Sequence, residues 1–182
     1  MKTVVFIIGT NCAGKSTLAR ELIERFGGVK SEQGTFTICN DARHCFAGTG
    51  YAAATTQCGV DKLHTTTMLA DTVKLALTQG DCVFCEGQNL NTIGMNLTNA
   101  IFQGEKQLVI FLYASPRILN NRRLARSGKV LNKQMLRKQS GNARAAAKWQ
   151  KIGVSVVAID TSDKTPRQIA DIVIEKLQAY EI

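Results

Sequence analysis

The sequence predicts an α/β fold: one domain over residues 1–182, built on a five-stranded parallel sheet flanked by helices, with a basic helical lid over about residues 115–150. Three observations predict it. Short apolar runs alternate with amphipathic helical patterns along the chain, which indicates a parallel sheet with right-handed crossovers. The first of those runs enters a glycine-containing turn that opens straight into a helical pattern. Lastly, 12 of the 23 basic residues fall between Lys106 and Ile159, a segment with no Asp or Glu. A chain of 182 residues can bury a full core.

The elements follow in order. Thr3–Ile8 reads as the first strand, followed by the turn over 9–17. Leu18, Leu22, Ile23 and Phe26 then make a stripe at helical spacing, which Gly27-Gly28 ends. Thr35–Cys39 reads as the second strand, and the Gly-, Ala- and Thr-rich residues 44–60 as irregular or a short helix. Met68, Leu69, Val73, Leu75 and Leu77 place a helix over about 63–78, closed by Gly80. Cys82–Cys85 is a short buried strand, 93–102 a helix, and Gln107–Tyr113 the fourth strand. Residues 117–150 read as two basic helices broken around Ser127-Gly128, and Val154–Ile159 as the fifth strand. Thr165 and Pro166 open a last helix whose inner face is Ile169, Ile172, Val173, Leu177 and Tyr180.

Composition narrows the class. No apolar run approaches the roughly 20 residues of a membrane span. The first strand begins without a signal-peptide pattern, so a cytoplasmic protein is expected. Of the six cysteines, Cys82 and Cys85 form a C-x-x-C pair inside a strand, where positions three apart face opposite sides; buried reduced thiols are expected there. The net charge of +9 comes wholly from residues 106–159, since the rest of the chain carries 11 basic against 14 acidic residues. Such a block suits either a solvated face or a polyanion.

The turn Gly9-Thr10-Asn11-Cys12-Ala13-Gly14-Lys15-Ser16-Thr17 fits G-x-x-x-x-G-K-[ST] between a strand and a helix. Its N–H groups and the helix N-terminus would cradle the phosphates of ATP; Lys15 would bridge the β- and γ-phosphates, and the Ser16 hydroxyl would hold Mg²⁺. Phosphoryl transfer also needs a base and positive charge at the moving group. Asp41, just after the second strand, is the candidate base; the alternative is an Asp that caps a following helix. Arg43 lies two residues on and would fix the acceptor. Glu86 at the end of the third strand would serve metal-bound water or the acceptor, or else act as a cap. Arg122 and Arg126, four apart on one helical face, would close over ATP. His44, His64 and Trp149 are open to structural or functional roles.

With these residues, the chain resembles the kinase domain of phage-type polynucleotide kinases, within the shikimate- and nucleotide-kinase branch of P-loop proteins. The likeness runs through Ile7-Ile8-Gly9 to Glu21, Asn40-Asp41-Ala42-Arg43, Gly80-Asp81-Cys82-Val83, Asn89-Leu90-Asn91 and Arg122–Gly128. It implies an ATP- and Mg²⁺-dependent kinase with Asp41 as base, Arg43, Glu86 and Asn89 toward the acceptor, and Arg126 in the lid. Two departures stand out. The family's base and arginine are three apart, so either Asp41 is shifted or Asn40 holds its place, and the segment at Glu86 carries one extra residue. The chain ends without the phosphatase domain of end-healing enzymes, and it also resembles the small kinases that phosphorylate 5-hydroxymethyluracil in phage DNA. DNA is therefore the expected partner, through a base hydroxymethyl group or a 5′-hydroxyl end. The alternatives are a small-molecule nucleoside or nucleotide kinase, or a non-catalytic nucleotide-dependent DNA-binding module.

Overall fold

The computed structural model describes residues 2–51, 59–63, 65–87, 90 and 104–180. Its strands are β1 (Thr3–Gly9), β2 (Val29–Gln33), β3 (Phe36–Cys39), β4 (His44–Ala47), β5 (Cys82–Glu86), β6 (Lys106–Tyr113) and β7 (Ser155–Asp160). Its helices are α1 (Lys15–Arg25), α2 (Thr66–Gln79), α3 (Pro116–Ser127), α4 (Lys133–Lys151) and α5 (Pro166–Ala179), with a 3₁₀ turn at Gly59–Lys62. The expected helix over 93–102, together with His64 and Asn89, lies outside the described residues.

The seven strands form one sheet in the order β2-β3-β4-β5-β1-β6-β7. Five of them, β4-β5-β1-β6-β7, are mutually parallel, which is the expected five-stranded parallel core. Its membership differs from the sequence reading. Thr35–Cys39 does contain a strand, β3, but β3 pairs antiparallel with both β2 and β4. The parallel position belongs to β4, four buried residues inside the stretch read as irregular. A run that short, beside glycines, carries too little period-2 signal to be recognised; β2 (Val-Lys-Ser-Glu-Gln) is a polar edge strand with still less.

Alternation along β1 divides the core in two. Val5 and Ile7 face α1 and α5 through Leu18, Leu22, Ile169, Val173 and Leu177. Val4, Phe6 and Ile8 face α2 and α4 through Leu69, Val73, Ala146 and Trp149. Trp149 is 3% exposed and stacks on Phe6 with ring centroids 5.2 Å apart, so it is a packing residue. Cys82 and Cys85 fall on opposite faces, and burial pushes both thiols up in pKa. Burial likewise raises Cys39 to about 12 and Cys45 to about 11. No helix among the described residues is long and apolar enough to cross a membrane.

The topology sets where a ligand sits. β1 and β5 are neighbours, and their onward connections run toward opposite ends of the sheet, to β2 and to β6. The carboxyl ends of such a strand pair open a crevice.

Candidate active site

The loop after β1 fills that crevice. Cys12 takes a left-handed conformation (φ 65°), and Gly14 (φ 98°) is the left-handed N-cap of α1. These inversions let successive N–H groups turn inward. Asn11, Cys12, Ala13, Gly14, Lys15, Ser16 and Thr17 all line one cleft of about 1030 Å³. Thr10 does not: it is 2% exposed, and its hydroxyl donates to the carbonyl of Met135 on α4 (3.1 Å), tying the loop to that helix. Gly9 closes β1, and its carbonyl accepts from Lys15 Nζ at 3.0 Å; the Thr10 carbonyl accepts at 3.3 Å. Lys15 thus lies folded back along the loop. Burial lowers the pKa of its ammonium, opposed first by Glu86 and then by Asp61.

Glu86 ends β5, level with Ile7 of β1, and is 2% exposed. It accepts a hydrogen bond from Ser16 Oγ at 3.0 Å. A hydroxyl and a buried carboxylate are both hard oxygen donors, the kind Mg²⁺ takes while keeping several waters. This pair therefore fits that cation.

The second carboxylate of the cleft is Asp61, on the 3₁₀ turn that follows β4 in the chain. Two glycines let that turn approach β5. A Cβ on Gly59 (φ +76°) would meet the Glu86 carbonyl at 2.4 Å and Glu86 Oε1 at 2.8 Å. A Cβ on Gly87 would meet Val60 Cγ2 at 2.4 Å and Asp61 Oδ1 at 2.9 Å. Sequence reasoning missed Asp61 because the short β4 before it went unrecognised. Gly59-Val60-Asp61 closing a glycine-rich stretch was the available signal.

The residues expected as base and acceptor clamp are elsewhere. Asp41 and Arg43 occupy the turn between β3 and β4, and because β3 runs antiparallel that turn lies at the amino end of the parallel strands. His44, which opens β4, is level with Cys82 and hence with Thr3, the start of β1. That is about 20 Å of strand from the phosphate loop at Gly9. Asp41 caps its own turn, accepting from the N–H groups of Arg43 (3.0 Å) and His44 (3.1 Å), with His44 Nδ1 2.6 Å from its other oxygen. His44 stacks on Phe26 at 3.7 Å between ring centroids. Arg43 is mostly exposed and lies 3.8 Å from Asp81. The structure thus corrects both expectations for Asp41: it lies away from the phosphate loop, and it caps the turn into strand β4 rather than a helix, while Arg43 is a surface residue. The physical reason is strand direction.

The two arginines expected over ATP, both on α3, divide. Arg122 donates to the Cys12 carbonyl (3.4 Å), to Thr161 Oγ1 (2.9 Å) and to the Thr161 carbonyl. Thr161 is fully buried after β7, and its hydroxyl reaches the carbonyls of Tyr113 (3.1 Å) and Ala13 (3.3 Å). Arg122 therefore locks the phosphate loop to β7; nothing in the sequence marked Thr161 for this role. Arg126, one turn on, lines the cleft with Arg123, Lys129 and Lys164, and its charge reaches Lys15. The cleft is a concentrated cationic field around two carboxylates.

No protein-family model matches the chain, and no curated protein sequence matches it. Solved structures do. The YorR protein of Bacillus subtilis, in complex with phosphorylated GDP, is 12% identical, covers 98% of this chain and 97% of its own, and superposes with a TM-score of 0.63. Deoxyadenosine kinase from M. mycoides, with dCMP and a flexible dCDP bound, is 14% identical over 97% of this chain and 99% of that one (TM-score 0.57). Shikimate kinase from Acinetobacter baumannii, in complex with shikimate, is 12% identical over 100% and 96% (TM-score 0.52). At these identities the likeness is one of fold, and the chain has the single-domain α/β fold of P-loop kinases.

Proposed function

We propose that this protein transfers the γ-phosphoryl group of ATP to an alcohol, with Asp61 as the base. The observation that carries the reading is the 3.0 Å hydrogen bond between Ser16 and Glu86 beside the buried Lys15, at the carboxyl ends of two neighbouring strands. ATP supplies the phosphoryl group, and a bound Mg²⁺ would supply positive charge against its phosphates. Ser16 and Glu86 are the residues that would hold that cation, directly or through its waters. Lys15 exchanges its carbonyl partners for phosphate oxygens. The loop N–H groups from Asn11 to Thr17 hold the phosphates, while Arg126 offsets the charge that develops during transfer. Asp61 takes the acceptor's hydroxyl proton as the new O–P bond forms and the bond to the bridging oxygen breaks. Arg122 positions the loop.

Two acceptors remain. A hydroxyl of DNA, either the hydroxymethyl group of 5-hydroxymethyluracil or a 5′ end, is supported by the all-cationic segment from Lys106 to Ile159. A small alcohol or nucleoside is supported by the shikimate- and deoxyadenosine-kinase folds. The test is transfer from γ-labelled ATP to duplexes carrying 5′-hydroxyl ends, to end-blocked duplexes with or without 5-hydroxymethyluracil, and to free nucleosides and shikimate. Label on any alcohol supports the transfer reading and names the acceptor. ATP binding with no label on any acceptor would leave a nucleotide-dependent binding module.

A further inference from the structure

The outer face of α4 does no work in the cleft. Lys133, Arg137, Arg144, Lys148 and Lys151 follow at intervals of four, seven, four and three residues. At 3.6 residues per turn these fall within an arc of about 60°. All five are exposed, and none has a carboxylate partner among the described residues. The opposite face carries the buried Asn142, Ala146 and Trp149, which seat the helix on the sheet. The result is a straight row of cations about 27 Å long on a rigid support.

A solvated helix face ordinarily mixes signs, since Glu and Lys at four-residue spacing support each other. Here not one acidic residue interrupts the row, so the helix carries self-repulsion that an outside anion would relieve. Gly141 points to the same face. It sits mid-helix, where glycine is unfavourable, yet an added Cβ would meet nothing within 4 Å. Packing does not call for it, whereas close approach of a ligand to the backbone does. Ser140 and Gly141, both small, lie between Arg137 and Arg144 in the chain.

We propose that this face is a docking track for the sugar–phosphate backbone of a nucleic-acid duplex. A duplex strand presents a phosphate about every 3.4 Å along its axis, so several phosphates lie within the length of the row, although only those on the facing side of the winding strand can meet it. A single-stranded groove would also need exposed aromatic platforms, and the one tryptophan is in the core. An acidic membrane would want a large apolar face beside the cations, but that face of α4 is spent on the sheet. The proposal deepens the DNA-acceptor reading, although docking on α4 does not depend on chemistry in the cleft.

The test is fluorescence-anisotropy titration of a labelled duplex of about 20 base pairs across about 0.05–0.3 M salt. Three proteins are compared: the wild type, the triple variant Arg137→Gln/Arg144→Gln/Lys148→Gln, and a control of equal charge, Lys30→Gln/Lys74→Gln/Lys176→Gln. At about 0.9 logarithmic units per phosphate contact, removing three contacts should flatten the salt slope by about 2.7 and weaken binding at 0.1 M salt by two to three orders of magnitude. The control should bind like the wild type. Equal affinity of the two triple variants overturns the proposal, as does a salt-independent wild type. Binding to phosphatidylserine vesicles without duplex binding overturns it too. ATP binding and phosphoryl transfer are measured on the same samples: docking intact with no transfer to any acceptor counts against the cleft reading, not against the track.

Discussion

Ser16 and Glu86 meet at 3.0 Å, the hydroxyl donating to a carboxylate that is 2% exposed. The contact joins the first turn of α1 to the end of β5, so one site is assembled from residues 70 positions apart. Replacing Glu86 by Gln keeps the shape and removes the charge. Apparent Mg²⁺ affinity should fall about 10- to 100-fold, and ATP affinity without metal should change little. A Mg²⁺ titration of transfer rate beside metal-free nucleotide binding measures both, and an unchanged titration would remove Glu86 from the metal site.

Asp61→Asn retains the bulk at the cleft wall and loses the proton acceptor. Transfer should slow by about 10²- to 10⁴-fold with ATP still bound. Single-turnover rates and nucleotide titrations separate the two effects. A rate within a factor of two of wild type would return the search for a base to the residues outside the described set.

Arg122 and Arg126, one turn apart on α3, should respond in opposite ways. Arg126→Ala should lower the transfer rate by roughly 10³-fold or more at little expense in stability. Arg122→Ala removes the link between Cys12, Thr161 and α3 and should destabilise the fold by about 1–3 kcal/mol. Denaturant titration and kinetics on both variants test the split; matching phenotypes would refute it.

Gly59→Ala puts a Cβ 2.4 Å from the Glu86 carbonyl at a φ of +76°. Strain of this kind costs of the order of 1–3 kcal/mol. Because the clash falls on Glu86, metal dependence should shift along with stability. Gly34→Ala, also at positive φ but with open space around it, is the control for backbone strain alone.

Asp41→Asn should change stability and leave chemistry alone. Partial burial pushes the Asp41 carboxyl up, but hydrogen bonds from the His44 ring and from the N–H groups of His44 and Arg43 outweigh this and hold it below the usual carboxylate range. A folded pKa below the unfolded one stabilises the fold above the unfolded value, and that contribution disappears as pH falls through the folded value. Asp41→Asn should therefore lower stability by about 1 kcal/mol at neutral pH. The gap to wild type should close in acid, and transfer should stay within a factor of two. Melting curves against pH, with one activity assay, decide it.

The phosphate loop was legible because its chemistry is local: Gly9 to Thr17 between a strand and a helix define their own geometry. The long helices and the strands β1, β6 and β7 were legible from hydrophobic period, as was the opposed facing of Cys82 and Cys85. The direction of β3 was not. Thr35–Cys39 has the same apolar pattern whether it runs with its neighbours or against them, and only its pairing with β2 and β4 decides. That single choice moved Asp41 to the far end of the sheet, so that the carboxylates in the cleft are Glu86 and Asp61. It could not be read from the residues, because side-chain alternation records which face is buried, not which way the chain is travelling.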